Sequence, residues 1–167
     1  AIAVARALGA EVEEGEVLTI KGIGPITEPL EIKELHCGES GLLTRLMIPV
    51  LAQIGTGKCH VTGEKTLVNR PLSGANDIMA AFGVMISNEN SDWGRTVHIP
   101  ARVRGNLIPG VADISGAGGS QLISGLLMAL PLADWDSEIV IDGPLQSEAY
   151  VRLTEDTLRA SGISFGK

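Results

Sequence analysis

Gly118-Gly119-Ser120-Gln121-Leu122-Ile123-Ser124-Gly125-Leu126-Leu127-Met128-Ala129-Leu130-Pro131-Leu132-Ala133 decides how this chain is read. After its small and polar opening it runs apolar or small for about three helical turns. Leu122, Ile123, Leu126, Leu127, Met128 and Leu130 leave no polar face, which predicts a helix buried on all sides. Ser124, Gly125 and Ala129 are small enough to let another backbone come close. At its mouth, Gly118 and Gly119 free the backbone to bend and Ser120 is placed to cap the first turn. Such a mouth offers unpaired N–H groups and partial positive charge, which suits a phosphate or carboxylate. An ordinary buried helix behind a glycine turn has the same look, so the repetition of the pattern carries the weight.

Working outward, the same order occurs earlier. Cys37-Gly38-Glu39-Ser40-Gly41 opens a helix over about Leu42 to Gln53, as Gly118 to Ala133 does later. Lys58 to Gly63 and Glu138 to Gly143 both read as strands ending in glycine. Glu64 to Leu72 and Leu145 to Tyr150 are loops before the helices Gly74 to Phe82 and Val151 to Ala160. Phe82-Gly83-Val84 and Ser161-Gly162-Ile163 close those helices, and Leu8-Gly9-Ala10 repeats the closing pattern a third time. Corresponding glycines lie ~80 residues apart, a fixed offset that marks a repeat. The chain therefore reads as one α/β unit used repeatedly, each placing a buried and a more exposed helix against a sheet. Further strands are expected at Val17–Ile20, Leu30–Leu35, Val84–Ser87, Thr96–Ile99 and Asn106–Ile114, with a polar turn at Asn88–Gly94.

Composition sets limits on partners. The 167 residues suffice for one full-sized domain, with an aliphatic core because aromatics make up only 3%. Apolar runs stop well short of about 18 residues, which argues against a membrane span. A net charge of −7 disfavours broad nucleic-acid or anionic-membrane binding, so an anionic ligand would need a few placed cations and backbone amides. Cys37 and Cys59 make no disulfide framework or CxxC pair, and His36, His60 and His98 have no metal-ligand spacing. A reducing cytoplasm follows as the expected compartment. The chain begins inside a helix and stops where another strand starts, so it reads as a piece of something longer.

Among groups that could do chemistry, Arg70 is the best-placed cation. Pro71 stiffens the loop that presents it, and a guanidinium there would grip a phosphate or carboxylate at two points, or sit in a surface salt bridge. Arg45, one turn after Gly41, could lean over the same helix mouth or pair internally. Ser120, Gln121, Ser147 and Tyr150 are neutral hydrogen-bonding groups beside the repeated mouths, suited to a hydroxylated small molecule or to capping. No acid/base pair, nucleophile elbow, P-loop or dinucleotide fingerprint stands out.

Four segments in order carry a resemblance over nearly the whole chain. Gly38-Glu39-Ser40-Gly41-Leu42-Leu43-Thr44-Arg45 resembles G-N-[SA]-G-T-x-x-R. Thr62-Gly63-Glu64 with Asn69-Arg70-Pro71-Leu72 is similar to T-G-D/E…R-P. Ser120-Gln121 with Leu126 to Ala133 resembles S-Q-x-x-x-x-L-L-M-A-A-P-L, and Leu145 to Tyr150 resembles L-x-S-x-P-Y. These are motifs of the EPSP synthase family, 3-phosphoshikimate 1-carboxyvinyltransferase. The resemblance implies an α/β fold of repeated βαβαββ units with buried parallel helices and sheets outside. It implies two domains, residues 1–167 forming most of the one on the shikimate 3-phosphate side, with an N-terminal segment and the second domain elsewhere. The implied reaction moves the enolpyruvyl group of phosphoenolpyruvate to the 5-hydroxyl of shikimate 3-phosphate, with no metal or cofactor.

By carry-over Arg70 would hold the phosphoenolpyruvate phosphate with the Gly41 backbone close by, and Gln121 would lie between the substrates. Ser120, Ser147 and Tyr150 would contact shikimate 3-phosphate, with Gly119 standing where a second Ser is usual. Glu39 replaces the usual Asn and Leu42 the usual Thr, and neither is assigned a ligand contact. No catalytic residue is assigned, and these residues alone are expected to bind without turning over. Rival readings are the sibling transferase acting on UDP-N-acetylglucosamine, RNA 3′-phosphate cyclase, and a non-catalytic anion-binding module.

Overall fold

The unbroken apolar run does become a buried helix. The computed structural model describes residues 1–89 and 96–166. Around that run the chain orders itself as α1 (Ile2–Ala7), β1 (Glu11–Glu13), β2 (Thr19–Lys21), β3 (Glu34–His36), α2 (Gly41–Ile54), β4 (Lys58–Thr62), α3 (Ala75–Ala80), β5 (Met85–Asn88), β6 (Ala101–Arg104), β7 (Val111–Ser115), α4 (Ser120–Ala129), β8 (Glu138–Asp142) and α5 (Glu148–Ala160). The middle of this order, β3-α2-β4-α3-β5-β6, is a complete βαβαββ unit, with α1-β1-β2 before it and β7-α4-β8-α5 after it. Gly9, Gly83 and Gly162 close α1, α3 and α5 at φ 97°, 77° and 87°, so the repeat inferred from spacing is a repeat of backbone geometry.

The complete unit forms a four-stranded sheet in the order β3-β4-β6-β5. β3 and β4 are parallel in the register Leu35↔Val61, joined across α2, while β6 runs antiparallel to both β4 and β5. Alternation fixes its faces: Cys59 and Val61 turn inward while Lys58 and His60 stay exposed, which sets the sheet outside the helices. β7 and β8 repeat the parallel pairing in the register Ala112↔Ile139, across α4. Inside lie Leu35, Ile48, Val61, Leu67, Met79, Phe82, Leu122, Ile123 and Leu126, all under 2% exposed, so the core is aliphatic apart from Phe82.

α2 and α4 are the two buried helices, and they run parallel. A Cβ on Gly125 would stand 2.7 Å from the Leu46 carbonyl oxygen and 3.0 Å from that of Arg45, so the helices touch backbone to backbone there. Farther along, Gln53 Nε2 donates to the Leu132 carbonyl at 3.2 Å. Pro49 lies inside α2 and lacks the N–H that would bond the Arg45 carbonyl, on the turn where α4 comes closest. α5 is amphipathic, fully buries only Val151, and is tied to α4 by Thr154 Oγ1 donating to Ser124 Oγ at 2.9 Å. Among the described residues no helix is long and apolar enough to cross a membrane.

Several local expectations are corrected. The strand predicted at Thr96–Ile99 is not in the sheet: Val97 and Ile99 do point inward, but the segment bridges the loop 68–71, through Val68↔Ile99 and Pro71↔His98. The sheet strand is Ala101–Arg104, whose two arginines and alanine give little strand signal and which is held by partners on both sides. Leu30–Leu35 pairs regularly only from Glu34, because Ile32 and Leu35 point inward three residues apart and break the alternation. Glu11–Glu13, for which no strand is predicted, pairs with Thr19–Lys21 as a hairpin. Beyond Pro109-Gly110, β7 extends to Ser115. α5 starts at Glu148, which puts Tyr150 on its first turn and not in the preceding loop. Most of the predicted turn at Asn88–Gly94 lies outside the described residues.

Candidate anion site at the helix mouths

The start of α2 is built by Ser40. Its side chain accepts from the Leu43 amide at 3.1 Å, and Thr44 Oγ1 donates back to the Ser40 carbonyl at 2.9 Å. Among the described residues neither the Gly41 nor the Leu42 amide has a hydrogen-bond partner, so both are left at the positive end of a 14-residue helix. Gly41 is where both candidate cations arrive. A Cβ there would stand 3.1 Å from Arg45 Nη1 and 3.4 Å from Arg70 Nη1.

Arg70 reaches this point on a tethered loop. Lys65–Leu67 form a 3₁₀ turn anchored by the fully buried Leu67, and the Arg70 amide donates to the Leu67 carbonyl at 3.0 Å. On either side, the Asn69 amide donates to Ile99 at 2.9 Å and the Leu72 amide to Val97 at 2.7 Å. Arg70 itself is exposed, and among the described residues no carboxylate lies within ion-pair distance, which leaves the surface salt-bridge reading without a partner. Arg45 is half-buried and forms no internal ion pair among the described residues. Its guanidinium donates from Nη1 to the Gly41 carbonyl at 3.0 Å and from Nη2 to the Pro71 carbonyl at 2.7 Å. Burial, and secondarily the neighbouring Arg70 charge, hold the Arg45 pKa below its usual value.

The other candidates share this end of the fold. Because α2 and α4 are parallel, their mouths face the same way. A Cβ on Gly74, just before α3, would meet the Gly118 Cα at 3.0 Å, and one on Gly116 would meet the Pro144 carbonyl oxygen at 2.7 Å. The Gln146 amide donates to the Gly116 carbonyl at 3.4 Å. The starts of α2, α3, α4 and α5 are thus linked along one end. Gly119 occupies the cap position of α4 at φ 91°, a backbone that glycine adopts without strain. Ser120 is the first helical residue, nearly buried at 4% exposed, and caps nothing, which corrects the capping role expected of it. Gln121 is half-buried beside it. Ser147 caps α5 positionally at φ 57° without a side-chain bond, and Tyr150 is exposed on the first turn. Gly41, Arg45 and Arg70 therefore come together at the start of α2, while Gly119, Ser120, Gln121, Ser147 and Tyr150 stand on the adjoining mouths.

Two features escaped the sequence reading. Glu39 accepts from Lys65 Nζ at 3.0 Å and from Thr66 Oγ1 at 3.3 Å, tying the start of α2 to the loop that carries Arg70. An Asn at this position in the motif gives no hint of such a pair. Beside the mouths lies a cleft of about 290 Å³ lined by Ser73, Gly74, Asp77, Asp113, Ser115 and Gly118. Its two carboxylates disfavour a phosphate, which directs an anionic group to Arg70. Among the described residues no three His, Cys, Asp or Glu side chains come together as metal ligands. Cys37 and Cys59 are buried and free, and burial raises both thiols, Cys59 to about 11, so neither is an activated nucleophile.

Fold and site together define an α/β protein of repeated βαβαββ units, with cations gathered at a shared end of parallel helices. Over residues 1–166 the chain matches the family model of EPSP synthase (3-phosphoshikimate 1-carboxyvinyltransferase), and it belongs to that family. It is 34% identical over 166 residues to the 3-phosphoshikimate 1-carboxyvinyltransferase of Clostridium novyi, covering 95% of this chain and 37% of that protein. Against the protein of the same name in Clostridium kluyveri it is 35% identical over 161 residues, covering 95% and 35%. The solved EPSP synthase of Acinetobacter baumannii superimposes with a TM-score of 0.73 at 23% identity, over 97% of this chain and 35% of that one, which shows the shared fold. The chain spans about 37% of the length of the first of these relatives. These matches favour this family over the UDP-N-acetylglucosamine sibling.

Proposed function

We propose that this chain supplies a substrate-binding half-site of a 3-phosphoshikimate 1-carboxyvinyltransferase, residues 1–167 forming most of one of its two domains. The whole enzyme would transfer the enolpyruvyl group of phosphoenolpyruvate to the 5-hydroxyl of shikimate 3-phosphate and release phosphate. The observation that carries this reading is the meeting of the Arg70 guanidinium with Gly41 at the open end of α2. A guanidinium plus free helix-start amides holds a phosphate by charge and by direction together.

In this reading Arg70 and the Gly41 amide grip the phosphate of phosphoenolpyruvate. Gln121 lies between the two substrates, and Ser120, Ser147 and Tyr150 hold shikimate 3-phosphate, one hydroxyl fewer being available at Gly119. The other half of the site, with the groups that move protons, belongs to the second domain as partner. Two free thiols suit a reducing cytoplasm as its location.

Calorimetric titration of the chain with shikimate 3-phosphate, repeated with Ser147→Ala, tests the reading. Saturable binding weakened about 2- to 10-fold, the worth of one hydrogen bond, is expected. Equal titrations, or saturable binding of UDP-N-acetylglucosamine in place of the shikimate compound, would overturn it.

A further inference from the structure

We infer that Arg45 is a positioning residue: its guanidinium bridges the Gly41 and Pro71 carbonyls and so sets where Arg70 stands, without holding the ligand itself. This rests on Arg70 being the anion-gripping cation. Arg45 reaches a residue 26 away in sequence on the loop side, at 2.7 Å, and its own helix start at 3.0 Å. The Pro71 carbonyl belongs to the Pro71–Leu72 peptide, separated from the Arg70 Cα only by the Arg70–Pro71 peptide and the rigid proline ring, so the bond restricts where Arg70 can stand.

Next to Pro71, the backbone bonds that hold the loop act on amides. Arg70 N–H is held by Leu67 and Leu72 N–H by Val97, at 3.0 and 2.7 Å. Pro71 has no N–H, so its carbonyl is the group left for a tether, and Arg45 supplies it. Both acceptors are neutral, so Arg45 keeps its charge at the mouth although its outer nitrogens are occupied. Two guanidiniums against one glycine, with no carboxylate at Arg70 among the described residues, repel each other. The bridge holds them in place against that repulsion, and an incoming dianion relieves it. Lysine carries the same charge on one nitrogen and cannot span two carbonyls as the planar fork does.

Parent, Arg45→Lys, Arg45→Ala and Arg70→Ala chains are compared by amide hydrogen exchange and by calorimetric titration with phosphoenolpyruvate in the presence of shikimate 3-phosphate. Arg45→Lys, though charge-conserving, is expected to speed exchange of the Arg70 and Leu72 amides about tenfold and to weaken phosphoenolpyruvate binding about tenfold. Ile48 and Leu51 in the core of α2 should exchange as in the parent, which separates loop release from general destabilisation. Arg70→Ala should lose binding with loop exchange unchanged. Parent-like exchange and affinity in Arg45→Lys would show that charge suffices and overturn the bridge. Lost affinity with the loop still protected would make Arg45 a ligand contact and overturn it equally. Parent-like binding in Arg70→Ala would defeat the anion-site reading instead, while the exchange comparison still decides whether Arg45 braces the loop.

Discussion

Gly125→Ala tests how closely α2 and α4 are packed. The added methyl would stand 2.7 Å from the Leu46 carbonyl oxygen and 3.0 Å from both the Arg45 oxygen and Pro49 Cγ. Two of these neighbours are backbone atoms of a buried helix, so no rotamer change clears them and the helices must separate by a few tenths of an ångström. Overpacking usually costs about 1–3 kcal/mol, and against two backbone oxygens that cannot yield it falls at the upper end, about 2–3 kcal/mol. Replacing glycine inside a helix gains about 1 kcal/mol in return. The net expectation is a loss of about 1–2 kcal/mol, or a fall in Tm of about 2–8 °C for a chain of this size. Urea unfolding should show a lower midpoint with an unchanged m-value. Gly15→Ala is the matched control, since its first contact would be the Val17 oxygen at 3.8 Å, and it should stay within about 0.5 kcal/mol of the parent. A Gly125→Ala chain as stable as the parent would refute the close approach of the two helices.

Two further perturbations probe the cap of α2 and a buried thiol of the sheet. Ser40→Ala removes the cap of α2 and strands the Leu43 amide, so urea unfolding should register a loss of about 0.5–2 kcal/mol. Cys59, raised to about 11 chiefly by burial and then by Cys37 and Glu34, holds its proton more tightly folded than unfolded, where a thiol titrates near 8.5. Its contribution to stability is therefore complete below about pH 8.5 and is lost as pH climbs towards about 11. Between pH 7 and 10 the parent should lose more stability than Cys59→Ala, and equal losses in the two chains would remove Cys59 as the cause.

How much of this was legible beforehand follows from the range of the interactions. The α/β repeat was readable because it is written in local chemistry: apolar helices with glycine mouths, glycine closures at Gly83 and Gly162, and strands that alternate. Its βαβαββ order was implied by the family resemblance. Arg70 stood out because Pro71 follows it, and Gly125 because only small residues permit backbone contact. Ala101–Arg104 was invisible as a strand because two of its four residues are arginines. Its conformation comes from β4 and β5 on either side, which one stretch of sequence does not contain.

The site divides in the same way. The sequence by itself determined the repeat, the two buried helices and the residue types at their mouths, since these depend on neighbours within a few residues. Only the tertiary structure decided that Arg45 bonds two carbonyls, that Glu39 ties down Lys65 and Thr66, and that Ser120 is buried without capping its helix. Those outcomes are fixed by groups more than twenty residues away or by the packing of whole helices. A polar side chain takes whichever partner folding brings within about 3 Å.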